Sequence, residues 1–355
     1  MKNIVIVGGG YAGYKIITQL IEKGIPENYQ VTLIDRHAYH SLKTEFYALA
    51  SGSISDFHVR MPFPDHQQFT LLNGEILSID INEKKIDVRE LEESVGYDHL
   101  VIALGCEDNY QGIEGAEEFT RSLQSLAKTR RTYESINNLD PDSVVSLIGG
   151  GLTGVELAAE LREVRHDLSI RIYDRGEKLL KGFPDKLRTF VMEWFVDHGI
   201  EIRSNSTIEK IEENTIVVNG TREHADAIVW TAGVQPVKVV RDLDVEKDKS
   251  GRIIINDYYQ INEHPEVLVV GDCASLPFAP SAQLAGKQGE QVAKMLDEMM
   301  NEKEIQKPGE INLKGTLGSL GKKNGFGVVY NNPVTGAVPR LMKSGTLWAH
   351  KLYKY

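Results

Sequence analysis

The sequence predicts an α/β protein of two Rossmann-like dinucleotide-binding domains, the second inserted into the first, plus a small C-terminal part. Three observations carry this expectation. A strand, a glycine loop, a helix and a second strand fill residues 2–35, and the same grammar returns at residues 143–174. After the second unit, apolar strands ending in glycine resume a pattern begun before it.

The elements follow in order. Lys2–Val7 is an apolar strand leading into Gly8-Gly9-Gly10-Tyr11-Ala12-Gly13, and an amphipathic helix runs from there to about Lys23. The strand Val31–Ile34 ends at Asp35. Tyr97–Gly105 reads as a buried strand reaching a glycine turn. Ser143–Ile148 is the next strand, Gly149-Gly150-Gly151-Leu152-Thr153-Gly154 opens a helix to about Val164, and Ser169–Tyr173 ends at Asp174. Residues 209–223 alternate around Asn214 and Asn219-Gly220, the pattern of a hairpin. Asp226–Gly233 repeats the Tyr97–Gly105 pattern, Val267–Val270 stops at Gly271-Asp272, and a helix spans about Gln283 to Met300. The expected boundaries are 1–110 with 230–310 for the first, discontinuous domain, 111–229 for the inserted one, and 311–355 for a basic C-terminal segment.

Composition narrows the function classes. A chain of 355 residues, 41% hydrophobic and 26% charged, has length for two cores, and no window approaches about 18 uninterrupted apolar residues. Two distant cysteines, Cys106 and Cys273, with no CxxC pair, indicate a reduced, cytoplasmic protein. A net charge of −11 argues against nucleic acid as a partner. Residues 311–355 nevertheless hold seven Lys or Arg and no acid, leaving −18 on the other 310 residues. This asymmetry suits contact with an anionic surface, although seven charges in 45 residues also fit a solvated tail. The ten histidines form no HxxxH or His/Cys cluster, so no metal site is expected, and His37, His40 and His66 read as loop or surface residues.

The glycine loops specify a ligand. In GxGxxG the first glycine permits a tight turn, the second admits a pyrophosphate, and the third lets helix and strand pack closely. Gly8, Gly10 and Gly13 fit, as do Gly149, Gly151 and Gly154. Asp35 and Asp174 stand where an acid hydrogen-bonds ribose hydroxyls. The Asp174 carboxylate would repel a 2′-phosphate and favours NAD over NADP, while Arg175 could serve such a phosphate or lie solvated at the surface.

Together these segments resemble the type II NADH dehydrogenases, single-subunit flavoenzymes that pass electrons from NADH to quinone. The match runs along nearly the whole chain: GGGYAG, Tyr39-His40 through Ala50-Ser51-Gly52, Ala103–Gly105 with Gly112–Gly115, Thr153-Gly154-Val155-Glu156, Trp230–Val234, Gly271-Asp272-Cys273-Ala274, Ala282–Ala285 with Gln288-Gly289, and Gly315-Thr316 with Ser319-Leu320-Gly321. The resemblance implies FAD in the first domain and NAD(H) in the inserted one. It places the FAD pyrophosphate at Gly8, Gly10, Tyr11, Ala12 and Gly13, and the adenosine ribose at Asp35 with Arg36. Lys43 and Thr44 would face the flavin and Ile76 the adenine. Gly105, Asp272 and the helix from Ala285 complete that side. Glu156 matches a proton-handling glutamate near the flavin–nicotinamide contact, and also fits a helix N-terminal acid favoured by the dipole. Hydride would pass from nicotinamide to flavin, and electrons from there to an acceptor.

Two departures concern that acceptor. Where the family has two glutamines beside the flavin, this chain has Lys287-Gln288, a cation that would alter the acceptor pocket. Relatives also continue into amphipathic anchoring helices, whereas Leu347–Tyr355 mixes aromatic, apolar and Lys residues suited to a weak membrane-surface contact. No cysteine lies in residues 36–60, so dithiol chemistry is not expected, and both cysteines read as small packing residues. The acceptor therefore remains a choice among a quinone, a ferredoxin-like protein and, for a flavin-bound sensor, none.

Overall fold

The computed structural model describes residues 1–352 and, within its last helix, not the side chains of residue 346 and residues 348–352. The interfacial contact expected of Leu347–Tyr355 thus lies, apart from Leu347 and the helical backbone of residues 348–352, outside the described residues. The chain forms two compact units. The first comprises Met1–Ser41, Arg60–Glu107 and Val234–Leu313, and the second Leu42–Val59, Asp108–Gly233 and the segment from Lys314 onward.

The first unit is built on a six-stranded sheet ordered Gln260–Ile261, His264–Val269, His99–Ile102, Lys2–Val7, Tyr29–Asp35, Phe69–Asn73. All pairs are parallel except the antiparallel edge at Gln260–Ile261. A parallel sheet covered on both faces needs strands that are apolar throughout, and Ile4, Val5, Ile6 and Val7 are all fully buried. Their alternation builds two cores. Ile4 and Ile6 share one with Ile16, Ile17 and Leu20 of the helix Tyr11–Lys23 and with Val292 and Leu296 of the helix Ala282–Met300. Val5 and Val7 face the other way, toward Ile79 and Ile86 of a small antiparallel sheet and toward Val240. Ser281 caps the long helix by accepting from the Leu284 N–H at 3.1 Å.

In the second unit five parallel strands run in the order Arg121–Ser122, Ala227–Trp230, Val144–Ile148, Ser169–Tyr173, Ile200–Arg203. The expected hairpin is a three-stranded meander, Ile208–Glu212, Thr215–Val218 and Thr221–His224. Its turns use Asn214, Asn219 and Gly220 at φ of 52°, 49° and 74°, the left-handed region these residue types tolerate. The meander closes one face of the sheet, where Ile211, Ile216 and Val218 meet Ile148, Ile228 and Trp230.

The basic C-terminal segment is a folded part of this second unit. Strands Gly315–Leu320, Asn324–Val329 and Asn332–Gly336 form an antiparallel sheet, followed by the helix Ala337–Leu352. Its pivot is Phe326, fully buried and edge-on to Phe183 at 5.9 Å between ring centroids. A Cβ on Gly318 would come within 2.4 Å of the Phe326 ring, so only glycine lets that ring lie flat on the neighbouring strand.

Replacing Phe326 with alanine should lower unfolding free energy by about 3–5 kcal/mol, the cost of emptying a closed aromatic site. Urea titration of the purified protein measures it, and a loss under about 1 kcal/mol would show that the C-terminal sheet contributes little to the unit.

Candidate functional site

The first glycine loop is clamped by its acid. Asp35 ends the second strand, and its Oδ2 accepts the Gly9 N–H at 2.6 Å while Oδ1 accepts the His37 N–H at 2.8 Å. Each oxygen keeps a second lone pair for a ribose hydroxyl. Gly10 is extended (φ −69°, ψ −166°) and caps the helix Tyr11–Lys23. Gly13 packs against the loop so closely that a Cβ would sit 2.1 Å from the Gly8 carbonyl oxygen.

The second loop repeats this almost atom for atom. Asp174 Oδ2 accepts the Gly150 N–H at 2.8 Å and Oδ1 the Gly176 N–H at 2.7 Å. Gly151 caps the helix Leu152–Val164 at φ −76°, ψ −176°, and a Cβ on Gly154 would meet the Gly149 carbonyl oxygen at 2.1 Å. Around Gly151 a Cβ would meet nothing within 4 Å, and around Gly10 only one atom, at 4.0 Å. Closed packing at the outer glycines with open space at the middle position is the shape a pyrophosphate requires, facing helix N-terminal N–H groups. Both loops therefore fit a dinucleotide.

The remaining expected residues divide between the units. In the first, Arg36 is exposed, Ile76 is buried at the start of its strand, and Tyr11 and Ala12 begin the helix behind the loop. Gly105 lies against Cys273, whose Sγ accepts from the Gly105 N–H at 3.0 Å. Cys106 Sγ donates to Asp272 Oδ2 at 3.1 Å. Both cysteines are free thiols, and burial, with the Asp272 charge, pushes the Cys273 thiol well above its ordinary pKa. Ala285 is buried in the first turn of its helix. Gln288 is fully buried and its Oε1 accepts the Gly271 N–H at 2.9 Å, which latches the turn that carries Asp272. Lys287 instead pairs at 2.7 Å with Glu290, which also meets Lys15 at 3.4 Å. Burial opposes ionisation of Glu290, but the two lysines outweigh it and hold its carboxyl below the usual range.

In the second unit Lys43 Nζ donates to Gln124 Oε1 at 3.1 Å, and Thr44 is exposed. Glu156 is the centre of a cluster that spans the unit's sequence. Its Oε1 accepts the Ser319 N–H at 2.8 Å and lies 3.0 Å from Ser319 Oγ, and it forms an ion pair with Lys343. A carboxylate only accepts, so the single Ser319 hydroxyl proton points to Glu156. Tyr47 Oη, also 3.0 Å from Ser319 Oγ, then donates its own proton there. Lys343 Nζ sits 4.5 Å from the centroid of the Tyr47 ring, a cation–π contact. Burial disfavours the Lys343 ammonium, but the Glu156 carboxylate and Tyr47 outweigh it and raise its pKa. Burial, then the Glu156 charge, pushes the Tyr47 hydroxyl up as well.

Two readings of the sequence need correction. Lys343 belongs to the segment taken as a surface-type basic tail, yet its side chain is 12% exposed and serves as counter-ion to Glu156. His40, read as a loop or surface residue, is fully buried on the strand Tyr39–Ser41 beneath the first loop. Ser319 and Tyr47 lie in segments that match the family, and nothing in their spacing marks them as partners in the Glu156 cluster.

Against known proteins, the model of the pyridine nucleotide-disulphide oxidoreductase family matches residues 2–289. The NADH dehydrogenase-like protein YutJ of Bacillus subtilis is 48% identical over 352 residues, 99% of each chain. The chain belongs to this family. It is accordingly an NAD(P)H-dependent oxidoreductase with FAD as cofactor. The type II NADH:quinone oxidoreductase of Staphylococcus haemolyticus is 26% identical over 378 residues, covering 96% of this chain and 93% of its own. Among solved structures, NDH2 of Plasmodium falciparum in complex with NADH superimposes with a TM-score of 0.86 at 15% identity, over 99% and 96% of the two chains, a likeness of fold.

Replacing Lys343 with methionine should destabilise the protein by about 3–5 kcal/mol, because Glu156 is left as a buried charge without its cation. The raised Lys343 pKa gives the pair's contribution a direction in pH. It is complete below the unfolded lysine value of about 10.4 and declines as pH rises above it toward the higher folded value. Thermal melts of both proteins should therefore keep their gap as pH rises to about 9 and converge only in stronger alkali. A gap that already closes as pH rises toward 9 contradicts the pairing.

Proposed function

We propose that this chain oxidises NADH with FAD held at Gly8–Gly13 and Asp35 and NADH at Gly149–Gly154 and Asp174, and that it delivers the electrons to a quinone. The observation that carries this reading is the duplicated clamp, in which Asp35 accepts the N–H of Gly9 and Asp174 that of Gly150, the residue between the first two glycines of each motif. The first loop takes the flavin because Asp272 and the helix Ala282–Met300 belong to its unit. A quinone acceptor is supported by the relatives named NADH:quinone oxidoreductases.

FAD, when bound, supplies the hydride acceptor and releases electrons onward. The protein's part is orientation, charge and proton handling. Helix N-termini behind Gly10 and Gly151 hold the two pyrophosphates. Asp174, fixed by two backbone donors, presents a carboxylate to the NADH ribose and repels a 2′-phosphate. Glu156 is the proton-handling carboxylate, and Lys343 and Ser319 hold its charge and direction. Lys287, on the helix beside the proposed flavin site, leaves a cation where the type II enzymes carry glutamine.

A contact with the membrane surface belongs to the same reading. No helix among the described residues is long and apolar enough to cross a membrane. On the helix Ala337–Leu352, Val338 and Leu341 are 63% and 70% exposed and Met342 is exposed beside them. Apolar side chains on a helix that carries basic residues suit shallow contact with an anionic lipid surface.

The purified holoenzyme should lose its visible flavin absorbance on adding NADH, much faster than with NADPH, and regain it on adding menadione. Bleaching without reoxidation by any quinone rules out the quinone arm. Gly13→Val should abolish FAD binding, since the side chain would occupy the Gly8 carbonyl's place. Asp174→Ala should reduce the NADH-to-NADPH ratio of kcat/KM by about tenfold or more, roughly 1.4 kcal/mol. An unchanged ratio would mean that Asp174 does not read the ribose.

A further inference from the structure

His40 is buried under the first glycine loop, and its Nδ1 lies 2.9 Å from the carbonyl oxygen of Gly9. A carbonyl only accepts, so Nδ1 carries the proton and donates it. The strand Tyr39–Ser41 pairs with Arg60–Pro62, placing His40 opposite Met61. Tyr14 stacks on the imidazole and Tyr11 meets it edge-on, each at 4.8 Å between centroids, so the ring has one orientation.

The peptide joining Gly9 to Gly10 is trans, so its C=O and N–H point in opposite directions. When His40 holds the Gly9 carbonyl on the inner side, the Gly10 N–H must face outward, where the loop is open. The second loop meets the same requirement differently. There the Gly150 carbonyl accepts the backbone N–H of Leu180 at 2.8 Å, and Leu180 adopts the left-handed φ of 58° to reach it. A buried leucine in that conformation costs about 1–2 kcal/mol, so the contact is one the fold maintains against strain. The apolar floor is duplicated too. A Cβ on Gly9 would sit 2.3 Å from Phe63 Cζ, and one on Gly150 would sit 2.5 Å from Leu179 Cδ2.

We propose that His40 is a positioning residue for the flavin pyrophosphate: its Nδ1–H pins the Gly9 carbonyl so that the Gly10 N–H faces the phosphate, as the Leu180 N–H does for the second loop. This rests on the assignment of FAD to the first loop.

Two substitutions separate the hydrogen bond from the ring. His40→Asn keeps a donor near the Nδ1 position and loses the ring, while His40→Phe keeps a ring and loses the donor. FAD release from diluted holoenzyme, followed by recovery of free-flavin fluorescence, gives the dissociation constant, and thermal melts give stability. FAD affinity should follow the donor: about tenfold weaker in His40→Phe and within about threefold of wild type in His40→Asn. Stability should follow the ring instead. Equal weakening in both variants, weakening only in His40→Asn, or none in either overturns the proposal. Should His40→Phe fail to fold, 15N NMR of the histidine-labelled protein decides, since a His40 tautomer protonated at Nε2 rather than Nδ1 overturns it as well. Gly13→Val separates this failure from that of the site assignment. FAD retained in Gly13→Val removes the assignment, whereas FAD lost there but kept tightly in His40→Phe removes only the role of His40.

Discussion

The structure depends most on one interaction made twice, the hydrogen bond from the N–H that follows a loop's first glycine to the carboxylate at the end of the next strand. At Gly9 and Gly150 it fixes a peptide plane, because the carbonyl on the other side of that peptide is then turned away from the acid. That carbonyl belongs to Gly8 or Gly149, and the helix comes close enough to it that the third glycine has no room for a side chain. The carboxylate therefore does more than wait for a ribose. It sets the path of the loop, the approach of the helix and the direction of the helix N–H groups. Charge and geometry reinforce each other here, since an ionised acceptor makes shorter and stronger bonds to backbone donors than a neutral one.

Much of this was legible in the sequence because its causes are local. Donor and acid are only 26 residues apart in the Gly9–Asp35 bond and 24 in the Gly150–Asp174 bond, with one helix between them. Parallel strands buried on both faces announce themselves as unbroken apolar runs, and the left-handed turns of the meander are marked by Asn and Gly. The Glu156 cluster was not legible. Lys343 is 187 residues from Glu156, and Tyr47 is 272 from Ser319. Nothing in a one-dimensional charge count separates a lysine that enters a buried pair from six others in the same basic segment. His40 was missed for a related reason. Its role depends on a short antiparallel pairing with Arg60–Pro62 that leaves almost no periodic signal in three residues.

The pair Lys287-Gln288 shows how a residue's neighbours decide its meaning. Lys287 and Gln288 are adjacent on one helix, yet the helical turn sends them to different environments. Gln288 is enclosed and occupied by the Gly271 N–H, so it acts on the backbone that presents Asp272. Lys287 is 43% exposed and shares Glu290 with Lys15 from the neighbouring helix. Its charge is thereby partly balanced, and exposed pairs of this type contribute little to stability. Lys287 is therefore one member of a surface triad, with Glu290 setting how much positive charge remains available.

The second unit uses its C-terminal segment in the opposite way. There the cation is nearly enclosed, and removing it would strand an anion. A buried pair of this kind is a weak source of net stability and a strong constraint on arrangement, because breaking it costs far more than forming it returns. Glu156 stands on the helix that begins at the second glycine loop, Ser319 on the C-terminal sheet and Lys343 on the last helix. A carboxylate that needs contributions from all three keeps its position only while the segment after residue 314 is folded in place. The basic charge of that segment thus has two destinations. Lys343 is spent inside, on Glu156, and the exposed face around Leu341 is left to meet what lies outside. One helix can serve both, since its 3.6-residue repeat places Lys343 and Leu341 about 200° apart around the axis.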